Sequence, residues 1–274
     1  MSTMYRLITS DLDETLLRKD GSISEANVSA IKEAAAAGVK FVPNTGRSFL
    51  TIQPLLQTLG LFQQPDEYVI SYNGGVVVEN QNNRVIVSNA MPHDEAEKVF
   101  GIMREFDDID IHVYTLDHLY IYHLRADDQA YLKTRGVAYD EFNAPTLAAF
   151  KNDQIMKIIG MHPQRHVQDR LYQAVMTRFN DQINCTYSSG QYMEVNHLGV
   201  DKGKAVLDLG QQLGISADEI IAIGDNDNDL SMLRVAGMPV AVANGIDSVK
   251  QVAKYVTDHD YERGVADAIK HFID

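Results

Sequence analysis

Short apolar runs alternate with amphipathic segments along the first part of the chain. Residues 5–10 form an apolar run that ends in polar residues, as expected for a buried parallel strand. Residues 24–38 combine a Ser24 N-cap, a helix-favouring body and a stop at Gly38, and they predict a helix. Further strand, helix and strand signals cover residues 39–42, 48–59 and 68–72. This alternation predicts right-handed crossovers and a doubly wound sheet.

The pattern changes in the middle of the chain. Residues 76–79 and 84–87 predict a hairpin, and a helix signal over residues 94–106 follows. Residues 111–114 and 119–122 alternate with a period of two, which is typical of an antiparallel sheet with one polar face. Two further strand signals and an intervening helix signal cover residues 155–161, 183–187 and 164–179. We therefore expect an inserted α+β domain.

From Tyr192 the doubly wound pattern resumes. Helix signals cover residues 202–213, 230–235, 247–253 and 262–272, and strand signals cover residues 220–223 and 238–242. The predicted class is α/β, with a doubly wound parallel-sheet core. That core is expected to comprise residues 1–83 and 190–274, and the inserted domain residues 84–189.

Composition and charge restrict the classes of partner. Hydrophobic residues make up 45% and charged residues 23% of the 274 residues, as in ordinary globular domains. The net charge is −14, from 24 Lys and Arg against 38 Asp and Glu. This balance lacks the basic footprint of nucleic-acid binding and repels anionic membranes at long range. We expect neither nucleic acid nor membrane as a partner, and no obligate protein partner is evident.

Targeting signals and cysteine content add little further information. No apolar run approaches the roughly 18 residues of a transmembrane helix, and the first residues lack the pattern of a signal peptide. The expected location is therefore the cytoplasm. Cys185 is the only cysteine, so an internal disulfide and a thiol-rich metal site are excluded.

Two carboxylates follow the first predicted strand, in the segment Asp11–Leu17. Ligands of open α/β sheets bind outside the carboxyl ends of the strands, which is where Asp11 and Asp13 stand. Such a pair can hold a divalent cation, which prefers oxygen ligands. It can also divide the work, so that one carboxylate attacks phosphorus and the other, protonated, serves the leaving oxygen. Taken alone, such a pair is more often a solvated acidic turn.

Two further segments have the properties of a phosphate cradle. Thr45, Gly46 and Arg47 follow the second strand and precede a helix, so a hydroxyl, an amide and a helix N-terminus are available together. Lys202 and Lys204 open another helix, where the macrodipole disfavours cations, and an anion would explain them. Each segment alone is also compatible with ordinary capping or with surface lysines.

The fourth segment, Gly224–Leu230, places three aspartates after a very apolar strand. Carboxylates in that position repel one another unless a cation or an ammonium group compensates them. The spacing is similar to the start of a calcium loop, but Leu230 and Ala236 stand where such a loop needs glycine and glutamate. We therefore expect a cation or ammonium site rather than a calcium loop.

The four segments together resemble the haloacid dehalogenase superfamily of phosphohydrolases, and most closely its Cof-type subfamily (subclass IIB, C2-type cap). Asp11–Leu17 resembles the nucleophile motif Asp-x-Asp-x-Thr-Leu, and Thr45–Arg47 the second motif. Lys202-Gly203 resembles the third motif, and Gly224–Asp229 the fourth, Gly-Asp-x-x-Asn-Asp. The resemblance extends over essentially the whole chain. Asn44 replaces a residue that is small in many relatives, and we expect no effect on the chemistry.

The resemblance implies roles for the motif residues. Asp11 would attack phosphorus to give an aspartyl-phosphate, and Asp13 would protonate the leaving group and then activate water. Mg²⁺ would be held by Asp11, the backbone carbonyl of Asp13, and Asp225, while Asp229 would orient a metal-bound water or the lysine of the third motif. Contacts to the phosphoryl oxygens are implied for Thr45, Lys202, Asn228 and the amides of Leu12 and Gly46, and a substrate or phosphate contact for Arg47.

The inserted domain offers candidate substrate contacts. If residues 115–117 turn a hairpin, one of its faces is formed by His112, Tyr114, His118, Tyr120 and Tyr122. We expect this face to contact the leaving group. The alternative is a solvated face of an ordinary antiparallel sheet.

The sequence thus predicts a Mg²⁺-dependent phosphatase for small phosphorylated metabolites, with sugar phosphates favoured. A phosphomutase or a dedicated sugar-phosphate phosphatase on the same core is an alternative, and a ligand-binding protein without turnover is another. The side chains do not rank hexose phosphates, pyridoxal phosphate, nucleotides and flavin precursors, and they do not give the oligomeric state.

Overall fold

The computed structural model describes residues 5–273, which form two compact units. One unit comprises the described residues up to Ser88 together with those from Asp201 onward. The other unit spans Asn89–Val200. The chain thus leaves the first unit once and returns to it once.

The elements of the described chain agree closely in kind with the sequence pattern. The strands are β1 (Leu7–Ser10), β2 (Lys40–Pro43), β3 (Tyr68–Ser71), β4 (Val76–Glu79), β5 (Arg84–Ser88), β6 (Asp110–Thr115), β7 (Leu119–Tyr122), β8 (Asp140–Phe142), β9 (Ile155–Met161), β10 (Asn184–Ser188), β11 (Tyr192–Asn196), β12 (Ile220–Gly224), β13 (Met238–Ala241) and β14 (Tyr255–Val256). The helices are α1 (Glu25–Ala36), α2 (Gln53–Leu59), α3 (His93–Met103), α4 (Ala126–Thr134), α5 (Arg165–Phe179), α6 (Lys202–Leu213), α7 (Leu230–Val235), α8 (Asp247–Val252) and α9 (Gly264–Phe272).

The main sheet of the first unit is parallel, with the strand order β14-β13-β12-β1-β2. The chain therefore moves from β1 to one side for β2 and to the other side for β12. Such a reversal defines the crevice where ligands bind in doubly wound sheets. The α/β class with a doubly wound core and an inserted α+β unit, which the sequence predicted, is confirmed.

Apolar packing explains why the helices lie against this sheet. Leu7 and Ala222 of the central strands share a buried core with Val206, Leu209 and Leu233 of the helices. α1 packs against α9, and α6 and α8 pack against α7. The Ser24 hydroxyl accepts a hydrogen bond from the Asn27 amide and so caps α1 as predicted.

The third strand differs from its expected place. β3 pairs antiparallel with β4, and β4 pairs with β5, so these strands form a separate three-stranded sheet. A single parallel bridge between Asn44 and Ile70 connects β3 to the end of β2. The predicted hairpin of β4 and β5 is thus present, and β3 pairs with it instead of joining the parallel sheet.

The limits of the inserted unit also differ from residues 84–189. Its observed start lies later because β5 is the last strand of the hairpin sheet in the first unit. Its observed end lies later because β11, which the sequence pattern assigned to the core, pairs with β9 and β10. Strand pairing, which the hydrophobic pattern does not report, determines both limits.

The inserted unit contains a six-stranded sheet with the order β10-β11-β9-β6-β7-β8. Val99 and Phe100 of α3 and Leu171 and Val175 of α5 pack with strand residues such as Val113 in its main core. α4 is a further helix, which the pattern missed because only Asp128 and Leu132 of it are buried. Within residues 5–273, no helix combines the length and the hydrophobicity needed to cross a bilayer.

The hairpin of β6 and β7 corrects the predicted shared face of histidines and tyrosines. Tyr114 pairs with Leu119, and Thr115 and His118 close a two-residue loop instead of the expected three-residue one. One residue fewer in the loop shifts the pairing, so Tyr120 and Tyr122 join the face of Val113 and Ile111 rather than that of His112 and Tyr114.

The five side chains therefore divide between the two faces of the hairpin. Tyr120 and Tyr122 make ring contacts with Phe150 and Phe100, respectively, at the apolar core of the inserted unit. His118 lies in the turn and pairs with Asp140 at 2.9 Å. The strand register therefore contradicts the prediction that all five residues form one face.

Candidate active site

The four motifs meet at one edge of the parallel sheet. β1 pairs in parallel with both β2 and β12, so the carboxyl ends of these three strands are neighbours. Asp11 directly follows β1, Asp225 directly follows β12, and Thr45 lies two residues beyond β2. The sheet therefore brings together residues that are far apart in the sequence.

Lys202 forms the electrostatic centre of the site. Its side chain is completely buried, and its Nζ donates to Oδ1 of Asp11 and, at 2.7 Å, to Oδ1 of Asp229. Asp201 is the N-cap of α6, and its side chain accepts from the Lys204 amide at 2.8 Å. Capping by Asp201 therefore lets Lys202 turn inward, whereas Lys204 stays exposed and pairs with Asp208.

Asp229 is held on every side. Its Oδ1 accepts from Lys202, and its Oδ2 accepts from the backbone amides of Asp225 at 2.9 Å and Asn226 at 3.1 Å. Both carboxylate oxygens are thus engaged by the protein. This arrangement suits a residue that orients Lys202 and the loop after β12.

Asp225 contacts a residue that the sequence analysis did not single out. The Thr15 hydroxyl donates to Oδ1 of Asp225 at 2.6 Å, and both side chains are buried. Thr15 belongs to the first motif and Asp225 to the fourth, so this hydrogen bond joins the two loops. The Leu12 carbonyl accepts from the amides of Thr15, Leu16 and Leu17, which winds the first loop tightly.

Two motif glycines are required by close packing. A Cβ on Gly203 would lie 2.3 Å from the Ser231 carbonyl oxygen, and one on Gly224 would lie 2.6 Å from Cβ of Asp229. No side chain fits at either position without movement of the neighbouring backbone or of Asp229. Gly203 therefore lets α6 approach the backbone of α7, and Gly224 lets β12 approach the side chain of Asp229.

Burial raises the pKa values of two site carboxyls. The pKa of Asp11 rises to about 7, mainly because the group is removed from water, and Lys202 opposes this rise. The pKa of Asp225 rises to about 9, through burial and the negative charges of Asp229 and Asp11. The neighbouring carboxylates raise the pKa of Lys202 and keep it protonated, although burial acts in the opposite direction. Three carboxylates thus share one ammonium.

These pKa values predict how the stability of the metal-free protein depends on pH. Between about pH 4 and 9 the folded state keeps protons that the unfolded state has released, so the free energy of unfolding should fall as pH rises. In EDTA we expect a lower melting temperature at pH 8.5 than at pH 5.5. Each kcal/mol lost from the free energy of unfolding should lower the melting temperature by about 2–4 °C. Added Mg²⁺ should raise the melting temperature more at pH 8.5.

Thermal melts of wild type and Asp225→Asn at both pH values check this expectation. The variant lacks one of the two carboxyls whose pKa is raised, so its melting temperature should depend less on pH. An equal pH dependence in both proteins would show that other groups determine it.

Asp13 and Arg47 form a bidentate ion pair. Nε of Arg47 donates to Oδ2 of Asp13 at 2.8 Å, and Nη2 donates to Oδ1. Both side chains are partly exposed, unlike the Lys202 cluster. The guanidinium expected to contact substrate is therefore placed against the carboxyl expected to transfer protons.

A left-handed turn that the sequence analysis treated as a strand end adjoins the second motif. Tyr72 and Asn73 both have positive φ values, 54° and 58°, and both are buried. The Asn73 amide donates to the Thr45 carbonyl at 3.0 Å, and Oδ1 of Asn73 accepts from Asn228 at 3.4 Å. A Cβ on Gly46 would meet the same oxygen at 3.1 Å.

Asn73 thus links the second and fourth motifs. Consecutive non-glycine residues in the left-handed region are uncommon and cluster at functional sites. The run Asn73-Gly74-Gly75 after an apolar strand was the available signal, because asparagine tolerates this backbone conformation better than most residues.

Asn44 also has a larger part than the sequence indicated. Its Nδ2 donates to the backbone carbonyl of Lys202 at 3.1 Å, and its side chain is completely buried. The departure from the family pattern that we expected to be neutral therefore contacts the backbone of the central lysine.

The acidic residues can hold a metal ion. One oxygen each of Asp11, Asp225 and Asp229 lies within 4.8 Å of the others, and all three residues are buried. Carboxylate oxygens are the ligands of hard divalent cations, and the surplus of negative charge over the single ammonium favours a cation. With both oxygens of Asp229 engaged, Asp11 and Asp225 are the better placed ligands.

The site thus combines a buried lysine between aspartates, at the carboxyl edge of a doubly wound sheet, with an acidic cluster that can hold a metal ion. The family model of haloacid dehalogenase-like hydrolases matches residues 8–269, and the chain belongs to this family. The predicted superfamily and the prediction of a hydrolase are confirmed.

Individual relatives agree with this assignment. The 5-amino-6-(5-phospho-D-ribitylamino)uracil phosphatase YwtE of Bacillus subtilis is 31% identical over 298 residues, covering 98% of this chain and 97% of that protein. A haloacid dehalogenase-like hydrolase from Bacteroides thetaiotaomicron superposes with a TM-score of 0.83 at 27% identity, over 97% and 99% of the two chains.

A subclass IIB sugar phosphatase has the same fold, with a TM-score of 0.84 at 22% identity over 97% and 98% of the two chains. This likeness extends to the fold as a whole, including the inserted unit. The name of the YwtE relative supports the phosphatase class of hydrolase.

Proposed function

We propose that this chain is a Mg²⁺-dependent phosphatase that hydrolyses small phosphorylated metabolites through an aspartyl-phosphate on Asp11. The observation that supports this most strongly is the contact of the buried Lys202 with both Asp11 and Asp229. An ammonium fixed beside a buried carboxylate both positions a nucleophile and offers a positive charge to phosphoryl oxygens.

In the first step, an oxygen of Asp11 forms a bond to phosphorus as the ester P–O bond breaks. The leaving alkoxide takes a proton from Asp13 and departs as the alcohol. Lys202, the Thr45 hydroxyl, the Asn228 amide and the backbone amides of Leu12 and Gly46 stabilise the charge on the phosphoryl oxygens.

In the second step, Asp13 takes a proton from water, and the water oxygen bonds to phosphorus as the bond to Asp11 breaks. Inorganic phosphate leaves, and Asp11 is restored. Because Arg47 pairs with Asp13 in the free protein, we propose that the guanidinium moves to the phosphoryl oxygens when substrate binds. This exchange would free Asp13 for proton transfer.

Asp11, the Asp13 backbone carbonyl and Asp225 would hold Mg²⁺, and Asp229 would orient the site. When bound, the ion supplies positive charge for the phosphate and offsets the repulsion among the carboxylates. Lys202 supplies the positive charge that belongs to the protein itself, and it contacts Asp11 and Asp229 directly.

The substrate class we propose is a phosphate monoester of a sugar or a polyol. Two of the relatives described above are named for a phosphorylated ribityl compound and for sugar phosphates, which supports this class. A mutase on the same core would return the phosphoryl group to a substrate, whereas a phosphatase releases it as inorganic phosphate.

Phosphate release from a panel of sugar, polyol, pyridoxal and nucleotide monophosphates tests the proposal. We expect release with Mg²⁺ and a loss of at least about 100-fold in EDTA, because the ion stabilises transition-state charge worth several kcal/mol. Activity should return when Mg²⁺ is added back.

Release that is unaffected by EDTA would contradict the metal dependence. Transfer of the phosphoryl group between positions of one sugar without free phosphate would favour the mutase. No turnover of any compound, together with saturable ligand binding, would favour the binding protein.

A further inference from the structure

A second cluster of potential metal ligands lies in the inserted unit, apart from the motif residues. Asp110 and His112 stand two residues apart on β6 and therefore project from the same face of that strand. Asp128 reaches them from α4. One ligand atom from each of the three residues lies within 4.8 Å of the others.

Burial makes this cluster unusual. Asp110 and Asp128 are completely buried, and His112 is 1% exposed. Charged carboxylates are rarely so buried without a paired cation or a metal. Asp128 is also one of only two buried residues on α4, so that helix places a charge where an apolar anchor would be expected.

Neighbouring groups engage both oxygens of Asp128 but only one oxygen of Asp110 in hydrogen bonds. The Tyr192 hydroxyl donates to Oδ1 of Asp128 at 2.7 Å, and the Arg125 amide donates to Oδ2 of Asp110 at 2.6 Å. Metal ligands are typically fixed by such outer hydrogen bonds. Oδ1 of Asp110 is thus without a hydrogen bond, and Oδ2 of Asp128 becomes a candidate ligand atom when an ion replaces its hydrogen bond with His112.

Two buried atoms in the cluster have no hydrogen-bond partner. Oδ1 of Asp110 accepts no hydrogen bond, although the Arg125 guanidinium forms an ion pair with it at 3.7 Å. Nδ1 of His112 also lacks a partner, while its Nε2 is 2.6 Å from Oδ2 of Asp128. A buried carboxylate oxygen without a donor is costly, and it indicates a ligand.

We propose that Asp110, His112 and Asp128 bind a divalent transition-metal ion, of the Mn²⁺ or Zn²⁺ type, that fastens α4 to the sheet of the inserted unit. Mixed imidazole and carboxylate ligands suit these ions. On binding, the ion replaces the proton between His112 and Asp128. Three protein ligands leave the remaining positions to water. This proposal does not depend on the phosphatase reaction.

Pulsed electron paramagnetic resonance of Mn²⁺ bound to the full-length, untagged chain tests the proposal. The active-site cluster offers only oxygen ligands, so a ¹⁴N coupling from directly bound imidazole reports the second site alone. We expect this coupling in the wild type and its loss in His112→Asn. His166→Asn, which replaces an exposed histidine of the same unit, should retain it.

Equilibrium binding gives the second readout. In the presence of excess Mg²⁺, wild type should bind one further Mn²⁺. Loss of an outer hydrogen-bonding partner lowers metal affinity by roughly 10–100-fold. Asp110→Asn removes a direct ligand, so its affinity for this Mn²⁺ should fall by more than that. Circular dichroism establishes that the variants fold. Absence of ¹⁴N coupling in wild type would overturn the proposal without any variant, since the cluster would then be a hydrogen-bonded network only.

Discussion

Replacement of Asp11 by asparagine is expected to lower phosphate release by a factor on the order of 10⁴ or more, as removal of a catalytic nucleophile does in other hydrolases. The amide has nearly the same shape, so the hydrogen bond to Lys202 can persist while the nucleophilic oxygen is lost. Because burial already disfavours the charged form of Asp11, the melting temperature of the metal-free variant should not be lower than that of wild type.

Asp208→Asn provides the matched control. Asp208 lies on α6 and pairs with Lys204 at the surface, so the same chemical change there should leave phosphate release within about two-fold. If the best substrate of wild type is hydrolysed by Asp11→Asn at a comparable rate, Asp11 is not the nucleophile. Mass spectrometry of denatured wild type after rapid mixing should show the phosphoryl adduct, and the variant should not.

Replacement of Lys202 by methionine is expected to affect stability and activity together. Loss of the ammonium leaves Asp11 and Asp229 buried without their shared partner, and breaking a buried ion pair in this way costs about 3–5 kcal/mol. Phosphate release should fall by on the order of 10²–10³-fold, as when one fixed donor to a transition-state anion is removed.

Lys204→Met is the control, because it makes the same change two residues later on the same helix. Its partner Asp208 is a solvent-exposed neighbour, so the free energy of unfolding should change by no more than about 0.5 kcal/mol. Denaturant unfolding of both variants in EDTA gives the comparison. Equal effects of the two substitutions would show that the buried cluster does not depend on Lys202.

The order of elements could be read from the sequence because burial of the core strands is so regular. β12 is apolar throughout, α6 begins after a capping aspartate, and α1 begins after Ser24. What could not be read was pairing between strands. β3 joins a hairpin sheet, and β11 joins the inserted unit, because hydrogen bonds to β4 and β9 decide their place and the local pattern does not encode them.

The site was predictable to a similar extent. Asp11 and Asp225 meet because the carboxyl ends of neighbouring parallel strands coincide, a rule that applies to any sequence of this class. Lys202 joins them from the first turn of α6, and Asp229 joins them from the turn before α7. The tyrosines of β7 were placed on the wrong face because a loop of two residues and one of three look alike in sequence. Asn73 was overlooked because the run Asn73-Gly74-Gly75 indicates a turn but not the contacts that this turn makes with Thr45 and Asn228.

The close approach at Gly203 and Gly224 has a consequence for anyone who wishes to transplant this chemistry into another scaffold. Grafting the aspartates and the lysine alone would fail. The lysine on the first turn of α6 reaches the aspartates only because α6 packs against the Ser231 backbone so closely that no Cβ fits at Gly203. A recipient scaffold should therefore be chosen for the separation between its two helices first, and for its carboxylates second.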